Sequence, residues 1–167
     1  MIGTRMIHPA FKWIWTSKCQ MKHKVFFWLL LKDRLSTKDI LRRKNMQLDS
    51  YTCELCILQK IERTSHLFFR CRFAKACWNS IGISFSTTRN ILQIISHIKR
   101  ALHLPFAMDI IILMTWSIWS VRNAWMFNND DPTILKCKDK FVHEFNLLTH
   151  RVKQSQINLM EIWLQSF

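Results

Sequence analysis

Glycine and proline are scarce in this chain: two Gly and three Pro in 167 residues, beside a single Tyr. So few turn-forming residues leave little room for a succession of β-hairpins, and helices are expected to dominate. Acidic residues are few as well, with eleven Asp and Glu spread along the chain. The adjacent pair Asp130-Asp131 stands before Pro132, in a helix-start context. Polymerase and RNase H chemistry need clustered carboxylates that hold two divalent ions about 4 Å apart. The chain is therefore not expected to be an enzyme. Long apolar runs are missing too: Ile110 to Val121 carries no charge but spans only twelve residues, whereas a membrane-crossing helix needs about twenty. No secretory signal opens the chain, because Arg5, His8, Pro9 and Lys12 interrupt its first fifteen residues. Six cysteines in 20.2 kDa are too sparse for a disulfide framework. The expected setting is intracellular, nuclear or cytoplasmic, not secreted, where thiols bind metal more often than they pair.

What is present is apolar and basic. Hydrophobic residues make up 49% of the chain, including eight Trp and twelve Phe, ample to bury a core and unlike a disordered composition. The net charge is +14, and its distribution is uneven: residues 1–85 hold sixteen Lys/Arg against five Asp/Glu, the remainder nine against six. A basic excess concentrated in one folded region is the electrostatic footprint of a polyanion partner, since Lys and Arg neutralise phosphates and release condensed counterions.

That basic half contains Cys53, Cys56, His66 and Cys71, spaced C-x2-C-x9-H-x4-C. Three thiols and one imidazole form one of zinc's usual structural ligand sets. The two-residue gap lets Cys53 and Cys56 grip one ion from a tight turn, and the nine-residue spacer lets the chain return with the second pair. Four protein ligands leave no open position for a catalytic water, so a closed structural Zn2+ site is expected. His66 and Cys71 lie five residues apart, about 140° around a continuous α-helix, too far to share an ion. A short helix or turn should therefore end near Arg70, break at Cys71 and restart at Arg72. Cys19, Cys77 and Cys137 do not arrange into a second site and read as buried or idle thiols, which argues against a two-ion RING arrangement.

Around the motif, His23 to Leu31 reads as a buried helix. Ser36 is expected to cap the next one, which carries Lys38 and Arg42 on one face with Arg43 and Lys44 toward its end. Of Phe68, Phe69, Phe73 and Trp78, most should be core around the metal, with one or two free to stack on bases. Farther on, Thr88 is placed as the cap of a helix bearing Ile91, Leu92, Ile95, Ile98 and Leu102, and a long helix starts near Phe106. Asp131-Pro132 is read as N-cap and first residue of a last helix. Its apolar stripe is Phe141, Val142, Phe145, Leu148 and Val152, with Glu144 off that face.

Several of these residues together carry a family resemblance: Trp13 and Trp15, Trp28, Asp33-Arg34-Leu35, Thr37, Arg42-Arg43, Cys53/Cys56, Glu62, the block His66-Leu67-Phe68-Phe69, Cys71 and Trp78. From Phe11 to Trp78 the chain resembles the zinc-binding region that follows the reverse transcriptase domain in plant LINE-type (non-LTR) retrotransposon polyproteins. Trp116 to Phe127 (WSIWSVRNAWMF) resembles the Ile-Trp-x-x-Arg-Asn-x-x-x-Phe segment that often comes after it. The chain departs from the family at Arg72 and Met21, where Pro is frequent. Because it opens on Met1 with no polymerase ahead of it, a gene remnant or a domesticated fragment is expected. The resemblance implies a zinc fold appended to a polymerase, with Cys53, Cys56, His66 and Cys71 as ligands and a reverse transcriptase domain as neighbour in the parent polyprotein.

The combined expectation is a mostly α protein. Residues 11–82 form a small Cys3His zinc-stapled helical module and residues 88–165 a helical C-terminal extension. The module is expected to bind RNA or DNA through phosphates, without sequence preference, using Lys38, Arg42, Arg43, Lys44, Arg70, Arg72 and Lys75. The competing reading is a helical protein-interaction fragment in which zinc is purely structural.

Overall fold

The structure, a computed structural model, describes residues 7–167; Arg5, one of the charges that interrupts the first fifteen residues, lies outside them. Of the described residues 63% are helical and none lies in a strand; one antiparallel bridge joins Thr52 and Ile61. The elements are α1 (Ala10–Thr16), α2 (Met21–Leu31), α3 (Lys38–Arg43), α4 (Arg72–Asn79), α5 (Ile91–Leu102), α6 (Ala107–Asn128), α7 (Ile134–Leu147) and α8 (Gln154–Leu164). A π-turn over His66–Arg70 precedes α4, and a 3-10 turn over Leu148–Arg151 links α7 to α8.

α6 is the hub. Its first half, Ala107 to Thr115, is buried on every side, as expected of a helix that is apolar nearly all round; its one carboxylate, Asp109, accepts the Lys18 N–H at 2.6 Å. The helix packs against α2, α5, α7, α4 and the π-turn. The core runs from Ile14 through Phe26, Phe68 and Trp78 to Phe141 and Met160, so the zinc module and the helical extension share it. Aromatic rings fill its two ends. Phe26 of α2 meets Phe68 and Trp116 edge-on at one, while Trp163 of α8 closes on Phe106, Phe141 and Phe145 at the other.

Three helix starts differ from the sequence expectation. α3 begins after Thr37, not Ser36, and Thr37 makes no side-chain cap. Its first N–H groups are taken by Glu62 instead: the carboxylate accepts from Lys38 at 3.0 Å and the carbonyl from Asp39 at 3.2 Å. α5 is capped by Asn90 and not by Thr88, because Asn90 and Gln93 form a reciprocal capping box while Thr88 pairs with Ser86. α7 starts after Thr133, whose hydroxyl accepts the Lys136 N–H at 3.1 Å, one residue beyond Pro132.

The last stripe also differs. The α-helix ends at Leu147, and Leu148 and Val152 belong to the turn and its exit. Glu144, placed off the apolar face by periodicity, is buried between Lys140, 3.2 Å away, and His23 of α2, 3.6 Å away. Burial lowers the His23 pKa to about 4, against the opposing pull of Glu144.

Candidate metal centre

The chain builds the site from a pinned hairpin and a π-turn. Thr52 bridges Ile61, the Cys53 N–H donates to the Lys60 carbonyl at 2.8 Å, and the Glu62 N–H donates to the Tyr51 carbonyl at 3.0 Å. This closes residues 53–60 into a knuckle carrying Cys53 and Cys56. Gln59, at φ 49°, makes its tight return.

The second pair depends on an unusual helix geometry. The Cys71 N–H donates to the His66 carbonyl at 2.7 Å, an i→i+5 closure of the π kind. That wider turn sets residue i+5 nearly above residue i, where an α-helix would swing it aside. The expected break at Cys71 is present, with ψ at 137°, and α4 restarts at Arg72.

The four ligand atoms of Cys53, Cys56, His66 and Cys71 lie within 4.8 Å of one another. Cys53 Sγ and Cys71 Sγ are 3.9 Å apart, and Cys56 Sγ and His66 Nε2 are 3.4 Å apart. With Zn–S near 2.3 Å and Zn–N near 2.0–2.1 Å, a tetrahedron has S···S edges of about 3.8 Å and S···N edges of about 3.5 Å. The donor set and its spacing therefore suit zinc, and the cofactor is Zn2+. Cys53, His66 and Cys71 are buried and Cys56 half-buried, and none of the thiols is in a disulfide.

The local field favours a thiolate at Cys71, whose pKa falls to about 4. A hydrogen bond from the Cys53 thiol is the largest cause. Burial opposes it, and His66 with the backbone N–H groups of Ala74 and Phe73, at the start of α4, adds to it. Cys53 is pushed up by the same hydrogen bond and by burial. A metal held by Cys53, Cys56, His66 and Cys71 would displace this shared proton and keep the three sulfurs as thiolates.

A buried ion pair ties the centre to α6. Glu62, on the returning arm of the hairpin, accepts from Arg122 Nη2 at 2.6 Å and Nε at 3.2 Å. The two side chains are 1% and 4% exposed, and the Arg122 guanidinium lies over Trp119 at 4.9 Å. Trp125 adds a hydrogen bond to Glu54 at 3.2 Å. Glu62 and the Ile118-Trp119-x-x-Arg122-Asn123 segment were both visible as motifs; their contact across sixty residues was not.

The structure separates the seven cations expected to meet phosphate. Lys38 is removed from that set: it is 2% exposed, with its ammonium 2.5 Å from Glu54, because α3 is pressed against the hairpin. Arg43 is exposed but paired with Asp33 at 2.8 Å and Asp39 at 3.1 Å. Arg42 stacks on Tyr51 at 5.5 Å, and Arg70 donates to the carbonyls of Thr87 and Arg89. Arg42, Lys44, Arg70, Arg72 and Lys75 are exposed, and none forms an ion pair among the described residues. Arg63, which sequence reasoning passed over, is exposed and equally unpaired. Phe68, Phe69 and Trp78 are fully buried and Phe73 half-buried, so the first three are core and offer no stacking face.

Residues 3–78 match the model of a family described as zinc-binding in reverse transcriptase. The matched stretch contains all four ligand residues and ends inside α4. Comparisons with curated proteins and with solved structures found no match. No helix of the described residues is long and apolar enough to cross a membrane.

Proposed function

We propose that this chain is a non-catalytic zinc module derived from a LINE-type (non-LTR) retrotransposon reverse transcriptase polyprotein, of the kind found in plants, that binds RNA or DNA through its basic surface. The observation that carries the reading is a set of exposed cations, without ion pairs among the described residues, on the segments that adjoin the metal ligands. Arg42 and Lys44 stand at the end of α3, Arg63 and Arg70 flank His66, and Arg72 and Lys75 lie on α4. Contacts of this kind are made to phosphate and position a strand without reading its sequence. In the parent polyprotein the module would hold template or product near a reverse transcriptase domain. With four protein ligands the metal has a structural task, and the module contributes no reaction step.

The test is a fluorescence anisotropy titration with labelled RNA and DNA over a salt series. If four to six cations reach phosphates, log affinity for single strands falls with log salt at a slope of about −3 to −4. The metal-free Cys53→Ser protein should bind markedly more weakly than the zinc-loaded wild type. Equal binding by the two would refute the reading. The protein-interaction reading then gains, with the exposed Phe127, Ile134 and Leu135 between α6 and α7 as its surface.

A further inference from the structure

Two open cavities, of about 680 and 390 Å3, share the walls Arg63, Ser65 and Arg70. The two adjoin at these residues: one reaches the metal hairpin at Leu58, Lys60 and Ile61 and includes His66, and the other reaches Leu31 at the end of α2 and Ile91 at the start of α5, so that side by side they trace a groove. We propose that this groove is the seat of a single nucleic-acid strand, with Arg63 and Arg70 as a phosphate clamp whose spacing the metal sets through His66. This rests on the nucleic-acid reading above and narrows it to one strand and one surface.

Three observations support the assignment. First, the groove's free charge is positive. Lys60, Arg63 and Arg70 make no ion pair among the described residues, while the groove's two carboxylates, Asp33 and Asp39, are both held by Arg43, and Asp33 also by Thr64 at 2.8 Å. Second, aliphatic side chains line both ends, Leu31 and Ile91 at one and Leu58 and Ile61 at the other, with Thr64, Ser65 and Asn90 among the polar residues of the lining. Unstacked bases can rest on such walls and on guanidinium planes. A duplex hides its base faces and presents phosphates on a convex surface, so it gains nothing from a recess of this kind. Third, Arg63 and Arg70 lie three residues before and four after His66, on the segment that the metal and the π-turn hold in place. Arg70 is further fixed by the Thr87 and Arg89 carbonyls, at 3.1 and 3.4 Å. Loss of zinc would release that segment and separate the two guanidinium groups.

The test uses the zinc-loaded full chain with a labelled twelve-nucleotide oligo-U, a duplex of equal length and a poly-glutamate peptide as probes. Arg63→Gln removes a side chain that makes no hydrogen bond or ion pair among the described residues, so zinc content and helicity should be unchanged. Its single-strand affinity should fall severalfold. Arg63→Gln with Arg70→Gln should lose about tenfold and make the salt slope shallower by about 1.4, the share of two phosphates on a single strand. Lys153→Gln, an exposed cation at the start of α8, should match wild type, and the duplex should bind the wild type and the double variant alike. The groove assignment is overturned if the double variant binds oligo-U within twofold of wild type. It is equally overturned if duplex or poly-glutamate competes as well as the single strand. The parent reading fails separately, if the zinc-loaded wild type binds neither nucleic acid.

Discussion

Truncating Arg122 to Ala tests whether the zinc hairpin is held by α6 or stands alone. In the wild type the Glu62 carboxylate, 1% exposed, accepts two charge-assisted hydrogen bonds from Arg122 and one from the Lys38 backbone. Without the guanidinium only the Lys38 N–H remains, and the carboxylate is left buried without a counter-charge. Breaking one side of such a pair costs about 3–5 kcal/mol. For a domain of this size each kcal/mol lowers the melting temperature by about 2–4 °C, so the expected drop is roughly 6–20 °C in a zinc-loaded sample followed by circular dichroism. Glu62→Ala should also destabilise, because it removes the outside cap of α3 as well as the ion pair. The double variant Glu62→Ala with Arg122→Ala should cost less than the two singles added, since neither charge is then stranded. A drop below about 2 °C for Arg122→Ala, or strict additivity in the cycle, would refute the reasoning. Either result would mean that the hairpin does not depend on α6.

Elemental analysis of protein purified under reducing conditions should find one zinc per chain. Cys53→Ser and Cys71→Ser should lose it and melt residues near 50–80, since structural zinc contributes on the order of 10–16 kcal/mol, while Cys19→Ser and Cys137→Ser should keep it. Because burial holds the His23 pKa near 4, below its unfolded value of about 6.5, the unfolded chain binds the extra proton first. His23 therefore costs nothing above about pH 6.5 and progressively destabilises as pH falls toward 4. In paired denaturant titrations His23→Phe should gain on wild type across that window, and parallel pH curves would contradict the assignment. Asn90→Ala should cost about 1 kcal/mol through loss of the α5 cap, measured by urea unfolding, whereas Thr88→Ala should be close to neutral.

Much of the metal centre was legible because it is local. Four ligands fall within nineteen residues, and their spacing alone excludes a continuous α-helix through His66 and Cys71. What spacing did not reveal is the form of the break, a π-turn closed by the Cys71 N–H on the His66 carbonyl. The helices were legible through apolar periodicity, but their first residues were misplaced at α3, α5 and α7. At α3 the reason is tertiary, since the capping acceptor is Glu62, more than twenty residues away. At α5 the cap expected at Thr88 falls two residues later, at Asn90, where the reciprocal bonds with Gln93 fix the helix start.

Composition and ligand spacing by themselves determined a helical, basic chain with a Cys3His zinc site, since these follow from residue types and short separations. Which charges remain available to a partner was decided only by the tertiary structure. Lys38 and Arg42 share a helix face and look equivalent along the chain, yet docking on the hairpin buries Lys38 against Glu54 and leaves Arg42 in solvent. Glu144 looks solvated by periodicity until α2 brings His23 against it. Arg63, passed over in the sequence, lines the same two cavities as Arg70. The fate of a charge is set by which distant groups surround it, and that depends on how the helices come together.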